Sequence, residues 1–296
     1  MAEMKSLSAG TLRILTRFQV GELTEHLIYA HIAKHVKDEK NKDVLLKISR
    51  EELQHSKIWE GYTQVTVKPR KARILWFTLI SRILGFTFAL KLMENGEGDA
   101  STFYGKIAQE VPEAQRIALD EDRHEQELLG MLDEERLQYV GSMVLGLSDA
   151  LVEISGTLAG LTFALQNTRL IALSGLITGI SATLSMGSSE YLSARSEGGG
   201  QNALKSAMYT GVVYLLTVTC MVLPYLLLPN EGFMIALGIM LATVVLIILG
   251  FTYYISVAKD MPFRKRFVEM AGISLSVAAL SFVIGIVVKK FLGIDI

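Results

Sequence analysis

Four potential metal ligands stand in an apolar part of the chain, at spacings that group them in two pairs. Asp149 and Glu153 are four residues apart, as are Met186 and Glu190, so each pair lies on one helix face. A carboxylate inside a membrane helix is costly and needs a reason to be there. Because carboxylate and thioether ligands together suit a divalent transition metal, we expect these residues to line a metal path. The alternative is that Asp149 and Glu153 lie in an interfacial turn and are merely solvated.

A second set of candidate ligands lies in the first 124 residues. The pattern Glu-x-x-His occurs twice there, and each copy places a carboxylate and an imidazole on one helix face. Two such pairs, with one glutamate from each of two further helices, are the ligands of two bridged irons in a four-helix bundle. The predicted ligands are Glu22, Glu52, His55, Glu94, Glu121 and His124. The alternative is that these acids form a solvated helix face.

Helices must position both sets of ligands. Apolar periodicity predicts helices at residues 7–36, 44–63, 74–93 and 113–137, with a polar connection at 38–43. The third of these is unusually apolar, with only Arg82 and Lys91 charged. Its surplus apolar surface could pack on a second copy or lie in the membrane interface. A membrane span is the other alternative for this segment.

Composition divides the chain near Tyr139. Of the 30 acidic residues, 22 precede Tyr139 and eight follow it. Five apolar segments follow, at 139–165, 170–193, 203–228, 233–257 and 267–289, each long enough to cross a bilayer. Lys and Arg concentrate on one side of them, which predicts a cytosolic N-terminal domain. The predicted fold is all-α, with a four-helix ferritin-like bundle at 1–137 and a five-helix transmembrane domain at 138–296.

The apolar domain resembles a known transporter family. Asp149, together with Ser-Met-Gly-x-x-Glu-Tyr-Leu-Ser at 185–193, is similar to the vacuolar iron transporter family. That resemblance implies a five-helix homodimer that moves Fe²⁺ or Mn²⁺ out of the cytosol in exchange for protons. The connection at 194–202 is short, whereas many members carry a long Glu-rich segment between the second and third spans.

The N-terminal domain resembles rubrerythrin over residues 12–131. Gly21-Glu22 followed by Tyr29, and Glu94-x-x-Glu97, carry the resemblance, which implies that Glu97 is an additional iron ligand. The chain has no Cys-x-x-Cys pair, so the iron–sulfur centre that feeds rubrerythrin's peroxidase cycle is missing. Fusion of two such domains resembles the membrane-bound ferritin-like iron exporters of prokaryotes.

These patterns predict an exporter of Fe²⁺ that spans the inner membrane several times, and they leave open whether Mn²⁺ is a second or the preferred cargo. Its N-terminal domain would hold two irons and bind or sense the metal. The expected partners are divalent metal ions, membrane lipid and a second copy of the chain, and no basic tract suggests nucleic acid. The alternative function is a membrane-anchored ferroxidase or peroxide scavenger, so enzymatic activity stays open.

Overall fold

A computed structural model describes residues 7–94, 107, 110–131, 139–197, 202–259 and 261–292. Within these residues every regular element is a helix, which confirms the all-α prediction for the described part of the chain. The chain forms two compact units, Met1–Leu137 and Gln138–Ile296.

Five helices are described in the first unit: α1 (Ala9–Ala33), α2 (Glu39–Thr63), α3 (Lys71–Leu84), α4 (Phe86–Glu94) and α5 (Glu113–Leu129). The prediction of a polar connection at 38–43 is wrong, because α2 begins at Glu39. The side chain of Asp38 accepts a hydrogen bond from the Asn41 amide at 2.8 Å. Such a cap satisfies an amide at the start of the helix, so the helix extends into the polar run.

The first unit packs around the pair α1 and α2, and α5 lies against α2. Leu15 and Trp59 are fully buried in a core that also contains Val111 and Ile117. This packing brings inward-facing residues of α1, α2 and α5 to one centre, which is what the candidate ligands require.

Gly85 interrupts the third predicted helix. A continuous helix over 74–93 is wrong, because Gly85 separates α3 from α4 with φ of 100° and ψ of 152°. Positive φ is open to glycine and strained for other residues. The 14 residues of α3 reach about 21 Å, which is short of a bilayer core of about 30 Å. No candidate span lies in the described part of the first unit.

The second unit contains five long helices: α6 (Val140–Leu165), α7 (Thr168–Ser196), α8 (Ala203–Leu227), α9 (Phe233–Lys259) and α10 (Phe263–Leu292). A short 3₁₀ turn at Asn230–Gly232 precedes α9. All five are long and apolar enough to cross a membrane, which confirms the predicted spans by length and composition. These apolar helices indicate a multi-pass membrane protein.

Small residues bring α6 close to its neighbours. A Cβ added at Gly146 would lie 2.6 Å from the Thr210 carbonyl oxygen of α8. A Cβ added at Gly285 of α10 would lie 2.4 Å from the Gly160 carbonyl oxygen. Gly156 also faces α10, at Ser281. The Gly156 and Gly160 pair is therefore used for packing inside one chain, as small residues are in membrane helix pairs.

Candidate metal sites

Four candidate ligands from three helices converge in the first unit. Glu22 comes from α1, Glu52 and His55 from α2, and Glu121 from α5. One ligand atom from each lies within 4.8 Å of all the others. Glu22, Glu52 and His55 are at most 4% exposed. Acidic groups this close and this buried repel each other unless protons or a cation compensate, so the cluster is suited to hold a metal ion.

A fifth candidate ligand, His124 of α5, extends this cluster on one side. Its Nδ1 is 3.0 Å from Glu52 Oε1 and 3.7 Å from Glu121 Oε2. On the other side, His55 Nδ1 is 3.7 Å from Glu52 Oε2 and 3.1 Å from Glu121 Oε1. Glu52 and Glu121 thus each direct one oxygen toward each imidazole. Both carboxylates therefore lie between the two imidazoles.

Several polar atoms of the cluster are of the kind that a metal ion binds. Glu52 Oε2, His55 Nδ1 and Glu121 Oε1 are buried, and none makes a hydrogen bond to the described residues. Groups of this kind are rare in native proteins, and a bound ion is one explanation for them. Trp59 Nε1 donates to Glu22 Oε1 at 3.3 Å, which orients that carboxylate. The donor set of carboxylates and imidazoles fits iron or manganese.

The Nε2 atom of each histidine faces a carboxylate on the opposite helix. That carboxylate belongs to the residue directly before the Glu-x-x-His motif of its helix. His55 Nε2 is 3.3 Å from Asp120 Oδ2, and His124 Nε2 is 2.7 Å from Glu51 Oε2. Arg123 joins these carboxylates, 2.9 Å from Asp120 and 3.2 Å from Glu51. Such contacts fix the ring orientation and direct Nδ1 into the cluster. Spacing alone did not identify these three residues. The signal available in the sequence was the acid directly before each motif.

The electrostatics of the cluster follow from burial and from its own charges. Burial and the charge of Glu121 raise the pKa of Glu52 to about 7. Burial, with the same neighbouring charge, also raises the pKa of Glu22. Burial opposes protonation of His124, but the adjacent carboxylates of Glu121 and Glu52 outweigh it and raise its pKa to about 11. Without metal the cluster therefore retains protons, which a bound cation would have to displace.

Two further predicted ligands of this unit lie partly or wholly outside the described residues. Glu94 is the last residue of α4, but its side chain lies outside the described part, as does Glu97 entirely. The histidines outside the predicted set make other contacts. His26 lies 2.6 Å from the Ser49 carbonyl oxygen and His35 lies 2.6 Å from Arg82.

Two carboxylates of the second unit are each hydrogen-bonded by a hydroxyl from another helix. The fully buried Tyr214 of α8 donates from its hydroxyl to Glu153 Oε2 at 2.8 Å. Ser142 of α6 donates to Glu190 Oε1 of α7 at 2.7 Å and also contacts Ser206 of α8 at 3.3 Å. The three helices α6, α7 and α8 thus share a line of polar side chains.

The other two predicted path residues lie on the same helices. Asp149 is half-buried, and its position nine residues after Val140 places it about 14 Å along α6. It is therefore well beyond the first turn of that helix. Met186 is half-buried and packs against the core of the second unit. Glu153 is exposed in the single chain.

Comparison with known families bears on this region. Residues 140–199, which are 60 of the 296 residues, match the model of the VIT family. This segment contains α6 and α7, and with them Asp149, Glu153, Met186 and Glu190. The match indicates membrane transport of a metal such as iron or manganese. No curated protein is similar enough to the chain to match it.

Proposed function

We propose that this protein exports Fe²⁺, and also Mn²⁺, from the cytosol in exchange for protons. The observation that carries the proposal is the VIT family match over α6 and α7, the two helices that bear all four predicted path residues. The hydroxyl contacts of Glu153 and Glu190 support it, because an inert anchor has no need of oriented carboxylates.

The proposed path has two carboxylate positions at different depths. Ser142, which holds Glu190, lies 11 residues before Glu153 on α6, a separation of about 16 Å along the axis. Asp149 falls between them. A cation would pass from one position to the next, each binding strongly enough to replace water and weakly enough to release it.

Proton exchange follows from the chemistry of carboxylates. A carboxylate binds a divalent cation only when it is deprotonated, so a proton arriving from the far side displaces the ion. Export against a gradient then draws on the proton gradient through the same side chains. Asp149 and Glu153, four residues apart, are the pair that would alternate between metal and proton.

We further propose that the first unit is a ferritin-like domain that holds two irons and binds or senses the metal. The bridging orientation of Glu52 and Glu121 between His55 and His124 supports two ions. The proposed ligands are Glu22 and His55 for the first iron, Glu94, Glu97 and His124 for the second, and Glu52 and Glu121 for both. Bound iron would supply redox chemistry to this unit.

The distribution of basic residues supports a topology in which the first unit lies in the cytosol and the second unit spans the inner membrane of the cell. Cysteines placed at the exposed positions Glu197 and Glu231, in a Cys220→Ser background, should react with impermeant reagents from opposite faces. Glu197 should share the face of the N-terminal unit. Labelling of both from one face would overturn the proposed topology. The resemblance to the transporter family also supports a homodimer.

The decisive test is metal flux into vesicles that contain the full chain. Asp149→Asn keeps the shape of the side chain and removes its charge, so it should abolish uptake of Fe²⁺ and Mn²⁺ and leave iron content unchanged. Glu52→Ala with Glu121→Ala should lower iron content and reduce flux only at low metal concentration. Glu197→Gln, an exposed acid after α7, is the matched control.

The alternative function is a membrane-anchored ferroxidase or peroxide scavenger, which the buried cluster in the first unit favours. The same experiment separates the two functions. Metal flux no greater than in protein-free vesicles, for the parent as for Asp149→Asn, would argue against transport, and Fe²⁺ oxidation by the full chain should then be measured. Loss of that oxidation in the double glutamate variant would establish the enzyme in place of the exporter.

A further inference from the structure

The outer face of α3 presents an apolar stripe. Leu75, Trp76 and Leu79 are 71%, 58% and 47% exposed. They fall within about 100° of the helix circumference, because each residue of an α-helix advances about 100° around the axis. Phe77 and Ile80 lie on the other side of α3 and are buried within the first unit. One side of α3 therefore holds it to the unit while the other side has large apolar groups exposed.

The sequence around this stripe is strongly basic. Between Glu60 and Glu94 there is no Asp or Glu, although the first unit is otherwise rich in acids. The same stretch contains six basic residues: Lys68, Arg70, Lys71, Arg73, Arg82 and Lys91. Lys68, Arg70 and Lys71, at the start of α3, are exposed. A helix with an apolar face and a basic border has the pattern of a helix that lies in the interface of an anionic bilayer.

We propose that α3 is an interfacial helix that docks the first unit on anionic membrane lipid. Leu75, Trp76 and Leu79 enter the boundary between headgroups and acyl chains, and the basic border contacts lipid phosphates. Trp76 suits this position, because tryptophan is enriched at membrane interfaces. The length of α3, about 21 Å, allows it to lie along the surface and not to cross the bilayer.

Charge favours lipid over a second copy of the chain as the occupant of this face. Two copies that met through α3 would bring two basic stretches without acids together, and like charges oppose such contact. Anionic phosphates complement the same stretch.

The two tryptophans make this proposal directly measurable. Trp59 is fully buried and Trp76 is exposed, and the chain has only these two. The full chain is placed in vesicles of phosphatidylcholine and phosphatidylglycerol whose acyl chains are either unlabelled or brominated near the headgroup. Because an interfacial helix lies about 5–10 Å into the headgroup boundary, brominated lipid should reduce Trp76 emission about twofold. The Trp76→Phe variant, which retains Trp59, should lose little emission.

Surface variants test the apolar and basic contributions separately. Leu79→Glu should restore most of the Trp76 emission in brominated vesicles. Leu119→Glu, a change at a 64% exposed position on α5, is the matched control and should leave the quenching as it was. Lys68→Gln with Lys71→Gln should weaken the quenching in vesicles that contain phosphatidylglycerol, and added salt should do the same.

Either of two other results would overturn the proposal. If acrylamide quenches Trp76 and brominated lipid does not, the α3 face stays in water. If neither reagent quenches Trp76, protein covers the face, and a cysteine at position 76 in a Cys220→Ser background should then cross-link two copies. Metal flux is not used in this test, so its outcome does not depend on the proposed transport activity.

Discussion

The Glu52 carboxylate is a proposed metal ligand, but without metal it destabilises the folded protein at higher pH. Burial and the charge of Glu121 raise its pKa from 4.5 to about 7. A carboxyl group with a higher pKa in the folded protein binds its proton more tightly when folded. Its contribution to stability is therefore complete below pH 4.5 and is lost as the pH rises from about 4.5 to about 7.

Glu52→Gln keeps the size of the side chain and removes its titration. Each tenfold change in proton affinity is worth about 1.4 kcal/mol, so a pKa of about 7 in place of 4.5 corresponds to about 3 kcal/mol. We expect the metal-free variant to be more stable than the metal-free parent by that amount at pH 8 and similar to it at pH 4. In urea the difference at pH 8 should raise the unfolding midpoint by about 1–2 M.

Trp59 reports this transition from within the first unit, because it is fully buried and donates to Glu22. The measurement uses the full chain in detergent, with Trp76→Phe in every protein so that Trp59 is the only tryptophan. Glu125→Gln changes an exposed acid of α5 and should leave the midpoint unchanged at both pH values.

Metal should reverse the order of stability. Mn²⁺ at about 1,000 times its dissociation constant would stabilise the parent by about 4.1 kcal/mol, which exceeds the advantage of the metal-free variant, whereas Glu52→Gln should gain little. The reasoning is refuted if the metal-free variant is no more stable than the parent at pH 8. It is refuted equally if the advantage of the variant persists at pH 4, where Glu52 is protonated.

Three further predictions concern other contacts. Arg123→Gln should weaken metal binding by the first unit about tenfold, measured by Mn²⁺ titration, because Arg123 holds the carboxylates that orient both imidazoles. Gly285→Ala should destabilise the second unit by about 1–3 kcal/mol, measured by thermal unfolding in detergent, because its Cβ would meet Gly160 at 2.4 Å. Tyr214→Phe should slow metal flux and leave iron content unchanged, because only the hydrogen bond to Glu153 is lost.

Each of these predictions has a control on the same helix or of the same chemistry. Glu125→Gln removes an exposed charge near Arg123 in sequence and should not change metal affinity. Gly272→Ala is also on α10, where an added Cβ meets nothing within 4 Å, so it should be neutral or stabilising. Tyr225→Phe removes a hydroxyl whose partner is Thr162 and not a carboxylate, so flux should persist. Equal effects of a variant and its control would contradict the corresponding assignment.

The five long apolar helices could be predicted because hydropathy and length alone define such segments. The break in the first unit could not, because residues on both sides of Gly85 are apolar and hydropathy does not register a change in φ. The start of α2 at Glu39 had a signal in Asp38, a residue favoured at N-caps, but the polarity of the following residues predicted a connection.

The candidate cluster in the first unit could also be predicted only in part from the sequence. Spacing on one helix predicts that Glu52 and His55 share a face, since that depends only on helix geometry. It does not predict that Asp120 of α5 faces His55 of α2, because this contact depends on how the two helices pack. Tyr214 was missed for the same reason, as it reaches Glu153 from another helix.

The two groups of carboxylates differ in ways that suit different tasks. In the first unit Glu52 is 1% exposed and lies among two imidazoles and two other carboxylates, so several ligands can hold an ion at once. In the second unit Glu153 is exposed in the single chain and has a hydroxyl as its described hydrogen-bond partner. Many ligands favour retention of a metal, and few favour its release. Under the proposed function, the first unit would therefore remain loaded at metal concentrations at which the membrane path is mostly empty. The test is to measure Mn²⁺ binding to the first unit and Mn²⁺ flux over the same range of concentrations. Binding should reach half its maximum at a lower Mn²⁺ concentration than flux does.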